Sequence, residues 1–506
     1  MQKYKALISV YDKTNIEAIA NCLLKNNIEI LATGGSLKYL QSKNIEVTDV
    51  TSYTLFPEML DGRVKTLHPK LFGGILYKRS DTVHVDTVKE HDIVAVDFVI
   101  VNLYPFVKKQ QENLSHDELI EFIDIGGPSL LRAAAKNYAD VTVITDVNDY
   151  TTVIEEMNIQ QQTNLSTRKK LAAKVFNLTA AYDASVANFL NEETFPEFHT
   201  STYQLKEILR YGENPHQQAA VYADLTKKIN INSWQQLQGK ELSYNNYRDI
   251  QSALNVVNEF KEPVCCAVKH NTPCGVACGN DDFDAYQRTY LADPVSIFGG
   301  IVAFNTAVSK KTAESMNEIF LEVIIAPDFD EEALSVFSKK KNLRLLKIEL
   351  NQSNEKNSIS IDGGLLVQTH DNINHYDLNK VTNVKPDENQ IAQLVFAQKV
   401  VKHCSSNAVV LVNNFVTVGI GSGQTNRIRA VEQAIHQVKE KGLNLSDCVL
   451  ASDAFFPFDD IVNTCAEYGI KAIIQPGGSI KDQDSINKCN EKEIAMVFTG
   501  VRHFKH

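Results

Sequence analysis

The chain has 506 residues, of which 43% are hydrophobic and 22% are charged, so it is long enough for roughly three ordinary globular domains. Its formal net charge of −11 argues against non-specific binding to nucleic acid or to an anionic membrane. An anionic ligand must therefore be bound by local basic residues.

The composition also bears on the compartment. Nine cysteines in a chain of this length are an odd and sparse set for a disulfide framework, which favours a reducing environment. No window approaches the ~18 consecutive apolar residues of a spanning helix. The N-terminus lacks the pattern of a cleaved signal peptide. We therefore expect a cytoplasmic protein with no membrane partner.

The N-terminal part alternates apolar strands with helical patterns. Strands are predicted at 6–10 and 28–32, and Thr33, Gly34, Gly35 and Ser36 open a helix directly after the second strand. The backbone N–H groups and the dipole of a helix N-terminus favour an anion such as phosphate. Taken alone, the pattern is more often an ordinary turn between a strand and a helix.

A basic segment follows at 61–69. It concentrates Arg63, Lys65, Thr66 and His68, with one acidic residue at its start. Such a group of donors in an acidic protein is suited to a phosphorylated substrate, although a solvated loop is the alternative.

Two further strands are predicted at 94–101 and 141–145. Asn102 and Tyr104 come directly after the carboxyl end of the first of these strands. Asp124 and Gly126 lie at the start of a strongly helical stretch. Alternating strands and helices predict an open α/β sheet, whose ligand lies beyond the carboxyl ends of the strands.

The main domain boundary is predicted near residue 200. A long helix at about 167–191 is followed by a polar segment at 192–203. Just beyond it, Arg210 and Tyr211 belong to a short polar segment that is either a binding loop or a plain turn. We expect domains at 1–195 and 200–506.

The C-terminal domain is predicted to contain two similar α/β units, at roughly 200–385 and 386–506. In the first, a strand at 264–268 is followed by a glycine-broken strand at 296–304. In the second, strands at 407–412 and 416–423 precede a helix that opens at 424. The common order of elements indicates an internal repeat.

The first of these units carries Lys269 and His270 where its apolar strand ends. A lysine and an imidazole at a strand end can together move protons at neutral pH, although such a pair can also simply face solvent. Farther along, the segment 452–458 holds three phenylalanines, which suit either a flat aromatic ligand or a core turn.

The ordered motifs SVYDKT, ATGGS, GRVKTLHP, VNLYPF, IDIGGPSLLRAAAKN, LRYGENPHQ, VKHNTPCG, FGG, SSNAVV, GIGSGQTNRI, SDAFFPF and RHFKH span nearly the whole chain. In this order they resemble a family of bifunctional purine-biosynthesis proteins. These proteins join a phosphoribosylaminoimidazolecarboxamide (AICAR) formyltransferase to an inosine monophosphate (IMP) cyclohydrolase. The resemblance implies an α/β fold with a methylglyoxal-synthase-like open parallel-sheet domain at the N-terminus. The C-terminal domain would consist of tandem cytidine-deaminase-like α/β/α units.

The resemblance implies two consecutive reactions. The formyl group of the co-substrate 10-formyltetrahydrofolate passes to the 5-amino group of AICAR, and the product FAICAR then closes to IMP with loss of water. It also implies a homodimer and no catalytic metal. For the transfer, it implies His270 as base, Lys269 as oxyanion and leaving-group stabiliser, and Asn407 as an orienting group. The implied ligand contacts are Arg210 and Arg502 for phosphate, Tyr211, Asn246, Phe298 and Arg427 for the nucleotide, and Phe456 and Asp459 for the folate.

For ring closure, the resemblance implies that four side chains surround the reacting groups: Lys65, Tyr104, Asp124 and Lys136. The implied phosphate and substrate contacts are Ser9, Lys13, Thr33, Gly35, Ser36, Arg63, Thr66, Asn102 and Gly126. Two positions depart from many relatives, Thr272 in the Lys-His loop and Gly300, and neither removes a group assigned to chemistry.

Two other classes of protein fit less well. A zinc deaminase needs His-x-Glu and Pro-Cys-x-x-Cys, whereas here three residues separate Cys274 from Cys278 and residues 200–273 contain no His-x-Glu. A non-catalytic nucleotide-binding module would not need Lys65, Tyr104 and the Lys-His pair together.

Overall fold

The computed structural model describes residues 4–227, 229–350 and 356–506. The chain divides into two compact units. Unit 1 contains the chain up to Gln204 and a short segment from Asp224, and unit 2 contains Leu205–Ala223 and Ile229–His506. Within the described ranges, no helix is both long and apolar enough to cross a membrane.

Unit 1 is built on a five-stranded parallel sheet in the order β3-β2-β1-β4-β5. Its strands are β1 (Lys5–Val10), β2 (Glu29–Ala32), β3 (Thr48–Asp49), β4 (Val96–Asn102) and β5 (Thr142–Ile144). Its helices are α1 (Ile16–Lys25), α2 (Gly34–Ser42), α3 (Val50–Thr54), α4 (Pro69–Leu76), α5 (Thr82–Glu90), α6 (Phe106–Gln110), α7 (His116–Ile120), α8 (Gly126–Lys136), α9 (Tyr150–Gln160) and α10 (Leu165–Leu190).

The strands of unit 1 are apolar because helices cover both faces of a parallel sheet. Ala6, Leu7 and Ile8 of β1 are fully buried. The chain passes from β1 to β2 on one side, while β4 joins β1 on the other. This reversal of strand order opens a crevice at the carboxyl ends of β1 and β4, as the sequence predicts.

Unit 2 is dominated by a mixed sheet of twelve strands, in the order β16-β21-β20-β19-β17-β18-β10-β9-β11-β12-β13-β8. The strands of the unit are β6 (Gln204–Leu209), β7 (Ala219–Ala223), β8 (Gln235–Gln238), β9 (Val264–Lys269), β10 (Thr272–Cys278), β11 (Ile301–Phe304), β12 (Val323–Ala326), β13 (Arg344–Lys347), β14 (Lys356–Ile361), β15 (Gly364–Thr369), β16 (Asn379–Lys380), β17 (Val409–Asn413), β18 (Val416–Gly421), β19 (Val449–Ser452), β20 (Ala472–Gln475) and β21 (Ala495–Phe498). Its helices are α11 (Tyr244–Val257), α12 (Asp282–Ala292), α13 (Lys310–Met316), α14 (Glu331–Phe337), α15 (Glu388–Val401), α16 (Arg427–Glu440), α17 (Asp460–Glu467) and α18 (Asp482–Glu491).

The large sheet consists of two topologically equivalent halves. The chain order β8-α11-β9-β10-α12-β11-α13-β12-α14-β13 is repeated as β16-α15-β17-β18-α16-β19-α17-β20-α18-β21, with the same pairing inside each half. The halves join where β10 pairs antiparallel with β18, at Ala277 and Val416. The internal repeat predicted from the order of elements is therefore confirmed.

Each half contains a hairpin that turns through two residues with positive φ. In the β9–β10 hairpin these are His270 (φ 52°) and Asn271 (φ 60°), and in the β17–β18 hairpin they are Asn414 (φ 49°) and Phe415 (φ 59°). Because β10 and β18 are antiparallel, the two turns lie at opposite ends of the sheet. We call these ends the His270 end and the Phe415 end.

One predicted strand was wrong in its first half. The expected strand at 296–304 is a turn up to Gly300, and β11 begins only at Ile301. Gly299 adopts φ 70°, and its N–H donates to the carbonyl of Phe320 at 2.8 Å. A glycine in this left-handed conformation ends extended pairing and turns the chain, which places Phe298 beside the β9–β10 turn.

We expect Gly421→Ala to destabilise unit 2. A Cβ atom at this last residue of β18 would lie 1.9 Å from the carbonyl oxygen of Ala430 in α16. The contact is with backbone, so the helix must move, at a cost of about 3 kcal/mol in the free energy of unfolding. Urea denaturation of the variant and the wild type measures this difference in the free energy of unfolding. Gly364→Ala in β15 is the control, because its nearest neighbour is the end of the Ile361 side chain at 3.7 Å. Equal losses in both variants would contradict the prediction.

Candidate active sites

Unit 1 contains a cavity of about 720 Å³ at the carboxyl ends of β1, β2 and β4. It gathers residues that are far apart in the sequence. Nearly all the candidate cyclohydrolase residues line it, namely Ser9, Lys13, Thr33, Gly35, Ser36, Arg63, Lys65, Thr66, Asn102, Tyr104, Asp124 and Gly126.

One part of this cavity is suited to a phosphate. Helix α2 begins at Gly34 and Gly35, and its first N–H groups have no partner inside the helix. A Cβ atom on Gly34 would lie 3.7 Å from Lys65 Nζ, and one on Gly35 would lie 3.6 Å from Lys13 Nζ. Because these two residues lack side chains, both ammonium groups lie close to the helix N-terminus. Two cations and a helix dipole together favour an anion there.

Asp124 forms the other part of the cavity. Its Oδ1 accepts from the N–H of Gly127 at 2.8 Å, and its own N–H donates to the hydroxyl of Tyr182 at 2.8 Å. Burial raises the pKa of the Asp124 carboxyl, against the lowering effects of the Gly127 and Tyr104 N–H groups and of the Lys65 charge. A Cβ atom on Gly127 would lie 2.5 Å from Asp124 Oδ2, so only glycine leaves room for this carboxylate.

Several cavity residues hold loops in place. Asn102 Oδ1 accepts from the N–H groups of Tyr11 at 2.6 Å and Asp12 at 3.0 Å, which fixes the loop after β1. Ser36 Oγ accepts from the N–H of Val10 at 2.9 Å. Arg63 forms an ion pair with Glu121.

Lys136 is placed differently from the other candidates. It is the last residue of α8 and is exposed, and it is not among the described residues that line the cavity.

In unit 2, the candidate transferase residues all lie at the His270 end of the twelve-stranded sheet. Lys269 ends β9, and its Nζ donates to the carbonyl of Phe298 at 2.8 Å. The exposed ring of Phe298 lies 5.7 Å from that of Phe320. His270 is exposed in the turn. The Lys269 ammonium group therefore lies beside the segment that carries the aromatic pair, and the exposed His270 is the next residue of the chain.

The β9–β10 turn is held by helix α11. Asp249 Oδ1 accepts from the N–H of Asn271 at 2.6 Å, and Ser252 Oγ donates to the carbonyl of Asn271 at 2.9 Å. Burial raises the pKa of Asp249, while the turn N–H groups and the nearby His270 lower it.

The second half contributes Asn407 and Arg427 at the same end. Arg427 is buried and donates to Asn407 Oδ1 at 2.7 Å, to the carbonyl of Phe455 at 3.0 Å and to Asp453 Oδ1 at 3.0 Å. Asn407 Nδ2 donates to the carbonyl of Gln424 at 3.0 Å. The amide of Asn407 is thereby fixed by partners on both of its atoms.

Other candidates surround this centre. Arg210 Nη2 donates to the hydroxyl of Tyr211 at 3.0 Å. The pKa of Arg344 is lowered, mainly by its own burial and to a smaller extent by the charge of Arg210. Asn246 is buried at the start of α11 and donates to Glu322 Oε2 at 2.9 Å.

The remaining candidates follow strands of the second half. The guanidinium of Arg502 is exposed over the ring of Phe504, at 4.4 Å. Asp459 is partly exposed and immediately precedes α17. Phe456 is fully buried in the core of the second half, so its ring packs against protein, whereas Phe458 is exposed.

Comparison with known proteins gives two family matches. The model of the AICARFT/IMPCHase bienzyme family matches residues 134–437, and that of the MGS-like domain matches residues 15–129. The bifunctional purine biosynthesis protein PurH of Clostridium botulinum (strain Hall) is 53% identical over 502 residues, which cover 99% of each chain. The chain belongs to the AICARFT/IMPCHase bienzyme family. The corresponding PurH of Clostridium beijerinckii is 51% identical to this bienzyme over 507 residues, covering all of both chains. A solved structure titled "Crystal structure of ForH" is 34% identical, covers 37% of this chain and 96% of its own, and has a TM-score of 0.34.

As a member of this family, the bienzyme carries out the last two steps of purine biosynthesis, a formyl transfer and a cyclohydrolysis. The transfer uses a formyl-folate co-substrate. The predicted methylglyoxal-synthase-like character of the N-terminal domain is confirmed by the family match.

Sequence reasoning missed several residues that position the sites. Tyr182, Glu322 and Asp453 each hold a candidate residue through a hydrogen bond, and Asp249 holds the turn that contains His270 through the N–H of Asn271. They come from distant helices and loops. Of these, Asp453 could have been found from the sequence. It is a lone acidic residue beside the apolar FFPF motif, which indicates that its carboxylate has a buried partner.

The cysteines of the bienzyme were a reason to consider zinc. Burial raises the pKa of both Cys274 and Cys278 to about 12, which keeps them as thiols at neutral pH. In the described part of the chain, no group of three or more His, Cys, Asp or Glu side chains is arranged to hold a metal ion.

Proposed function

We propose that the unit 1 cavity is the cyclohydrolase site. The anion-binding part at Lys13, Gly35 and Ser36 would take the ribotide phosphate, which orients the base toward Lys65 and Asp124. Ring closure is intramolecular, so holding the carboxamide nitrogen against the formyl carbon supplies much of the rate. The Lys65 ammonium and the Tyr104 phenol stabilise charge on the formyl oxygen, and Asp124 orients the amide.

The catalytic role of Lys136 remains a proposal that rests on family resemblance. Ser9, Thr33, Arg63, Thr66, Asn102 and Gly126 complete the proposed substrate site. Of these, Asn102 acts by holding the β1 loop.

For the transfer, we propose that His270 removes the proton of the AICAR amine as it attacks the formyl carbon. The amine is a poor nucleophile because its lone pair is drawn toward the carboxamide, so a base is needed. Lys269, whose Nζ is held by the Phe298 carbonyl at 2.8 Å, stabilises the oxyanion and the departing nitrogen. Asn407, fixed by Arg427 and Gln424, orients the reacting groups.

The surrounding candidates would bind the two substrates. Arg210 and Arg502 would hold the phosphate, and Tyr211, Asn246 and Phe298 would lie near the nucleotide. Asp459, with the backbone of Phe456, would face the folate. We further propose 10-formyltetrahydrofolate as formyl donor, a cytoplasmic homodimer, domains at 1–195 and 200–506, and no catalytic metal.

The observation that carries the proposal is that the candidate cyclohydrolase residues lie in unit 1 and the candidate transferase residues lie in unit 2. The test mixes the purified protein with AICAR and 10-formyltetrahydrofolate and records tetrahydrofolate and IMP separately. Both products are expected. A folded protein that forms no tetrahydrofolate would overturn the transferase assignment, and one that accumulates FAICAR would overturn the cyclohydrolase assignment.

We expect Asp124→Asn to stabilise unit 1 near pH 7 while slowing cyclisation about 100-fold. Because burial raises the folded pKa of Asp124 above its ordinary 3.8, the ionised carboxylate destabilises the fold. That penalty is absent below the unfolded pKa and grows as pH rises toward the folded pKa. The variant's advantage in thermal unfolding should therefore be present at pH 7 and shrink as the pH falls toward 4. A variant less stable than wild type at pH 7 would show that the hydrogen bonds of the carboxylate outweigh its burial.

A further inference from the structure

The two halves of the twelve-stranded sheet can be compared position by position. Helices α11 and α15 both have 14 residues, and each begins with a capping box, Ser243 with Asn246 and Asp387 with Gln390. Each helix also holds the hairpin turn of its own half. Asp249 accepts from the N–H of Asn271, and its equivalent Gln393 accepts from the N–H of Asn414, both at 2.6 Å.

This equivalence predicts a counterpart of the transferase site at the Phe415 end. The turn of the second half lies there, next to the open end of the β9–β10 hairpin, where Cys278 N–H donates to the carbonyl of Phe415 at 3.1 Å. Six-residue β9 separates the two ends by roughly 20 Å. Asn413 ends β17 where Lys269 ends β9, and Asn414 takes the place of His270. The counterpart therefore lacks both the ammonium and the imidazole.

A cavity of about 540 Å³ occupies this place. Three residues that line it are apolar, whereas the equivalent residues at the His270 end are polar. Aligned from their helix starts, Arg248 corresponds to Ala392 and Ser252 to Phe396, while Asn271 in the turn corresponds to Phe415. The lining residues are Phe260, Glu262, Cys278, Gly279, Asn280, Arg288, Ala392, Val395, Phe396, Lys399 and Phe415.

The cavity is aromatic on one side. The ring of Phe396 lies 5.2 Å from that of Phe260 and 6.2 Å from that of Phe415, nearly perpendicular to the latter. Ala392 is exposed and leaves space at the rim. Such walls favour a flat ring system, because stacked and edge contacts between rings add to the burial of apolar area.

The charges of the cavity favour an anion. Lys399 Nζ donates to the carbonyl of Glu259 at 2.8 Å and lies 5.1 Å above the Phe260 ring. Arg288 donates to the carbonyls of Cys278 and Asn414, and its closest acid is Asp284 at 4.0 Å. Among the described residues that line the cavity, Glu262 is the one acidic residue. Two cations held by neutral carbonyls remain available for a carboxylate, sulfonate or phosphate.

We infer that this cavity at the Phe415 end is a second, non-catalytic binding site for a planar aromatic anion. It occupies the place in the second half that the catalytic site occupies in the first. Its residues suit the binding of an aromatic ring instead of the transfer of a proton. The inference rests on the geometry of the repeat and on the residues that line the cavity. It depends on the proposed function only where the His270 end is called catalytic.

The test uses two fluorescent probes with the full-length protein. 8-Anilinonaphthalene-1-sulfonate carries a flat naphthalene ring system and a sulfonate, and N-phenyl-1-naphthylamine has the same rings without the sulfonate. We expect Ala392→Trp, which fills the cavity, to remove one saturable site for the anionic probe per chain. Asn389→Trp, at an exposed position of the same helix outside the lining, is the matched control and should bind as wild type.

A charge variant tests the second part of the inference. Lys399→Gln should weaken binding of the anionic probe about fivefold and leave the neutral probe unchanged. Circular dichroism confirms that each variant is folded. Unchanged anionic-probe binding in folded Ala392→Trp, or an equal effect of Lys399→Gln on both probes, would overturn the inference. No substrate enters the experiment, so its outcome is independent of the proposed activities.

Discussion

Lys65→Ala is expected to slow ring closure about 1,000-fold and to leave formyl transfer intact. Lys65 Nζ lies against Gly34 at the start of α2 and contributes to the electrostatics of Asp124. Its loss removes a positive charge from both the phosphate-binding part and the reacting part of the cavity. A preorganised charge of this kind is worth about 100- to 1,000-fold in rate, and the double role places the loss at the upper end.

The measurement for this variant supplies FAICAR directly and follows IMP, and then supplies AICAR and 10-formyltetrahydrofolate and follows tetrahydrofolate. Lys70→Ala is the matched control, because Lys70 directly follows the basic segment at 61–69 but does not line the cavity. Loss of both activities in a folded Lys65→Ala protein would contradict two separate sites.

Replacing Lys269 and His270 together by alanine is expected to have the opposite effect. A positioned base contributes about 100- to 10,000-fold and an oxyanion stabiliser about 100- to 1,000-fold, although the two effects need not multiply. Tetrahydrofolate release should fall to background. Supplied FAICAR should still close to IMP at the wild-type rate, because the residues proposed for the cyclohydrolase all lie in unit 1.

The repeat supplies a matched control for this experiment. Asn413 ends β17 as Lys269 ends β9, but it lies at the Phe415 end of the sheet. Asn413→Ala should therefore transfer formyl groups as wild type does. An equal loss in Asn413→Ala would indicate general damage to the sheet and would remove the argument for Lys269 and His270.

The sequence was a good guide to which loops meet, because strand order and the carboxyl-end rule bring Thr33, Lys65 and Tyr104 to one crevice. It was a poorer guide to what each side chain does there. Asn102 follows a buried strand and reads as a ligand contact, yet its amide holds the β1 loop. Phe456 reads as an aromatic contact, yet its ring is in the core. The direction of a side chain at a strand end depends on distant neighbours such as Tyr182, which no local pattern contains.

The borders of the twelve-stranded sheet also have a consequence for self-association. An outermost strand presents unpaired N–H and C=O groups that can template a strand of another molecule. Here one border is the two-residue β16 and the other is β8, whose sequence Gln-Gln-Leu-Gln is mostly polar and exposed. The two interior strands β10 and β18 are longer and more apolar, and each is the inner border of its half, where the two pair at Ala277 and Val416. Separating the halves would uncover both, so each isolated half should aggregate, whereas the intact sheet ends in borders too short or too polar to recruit a further strand.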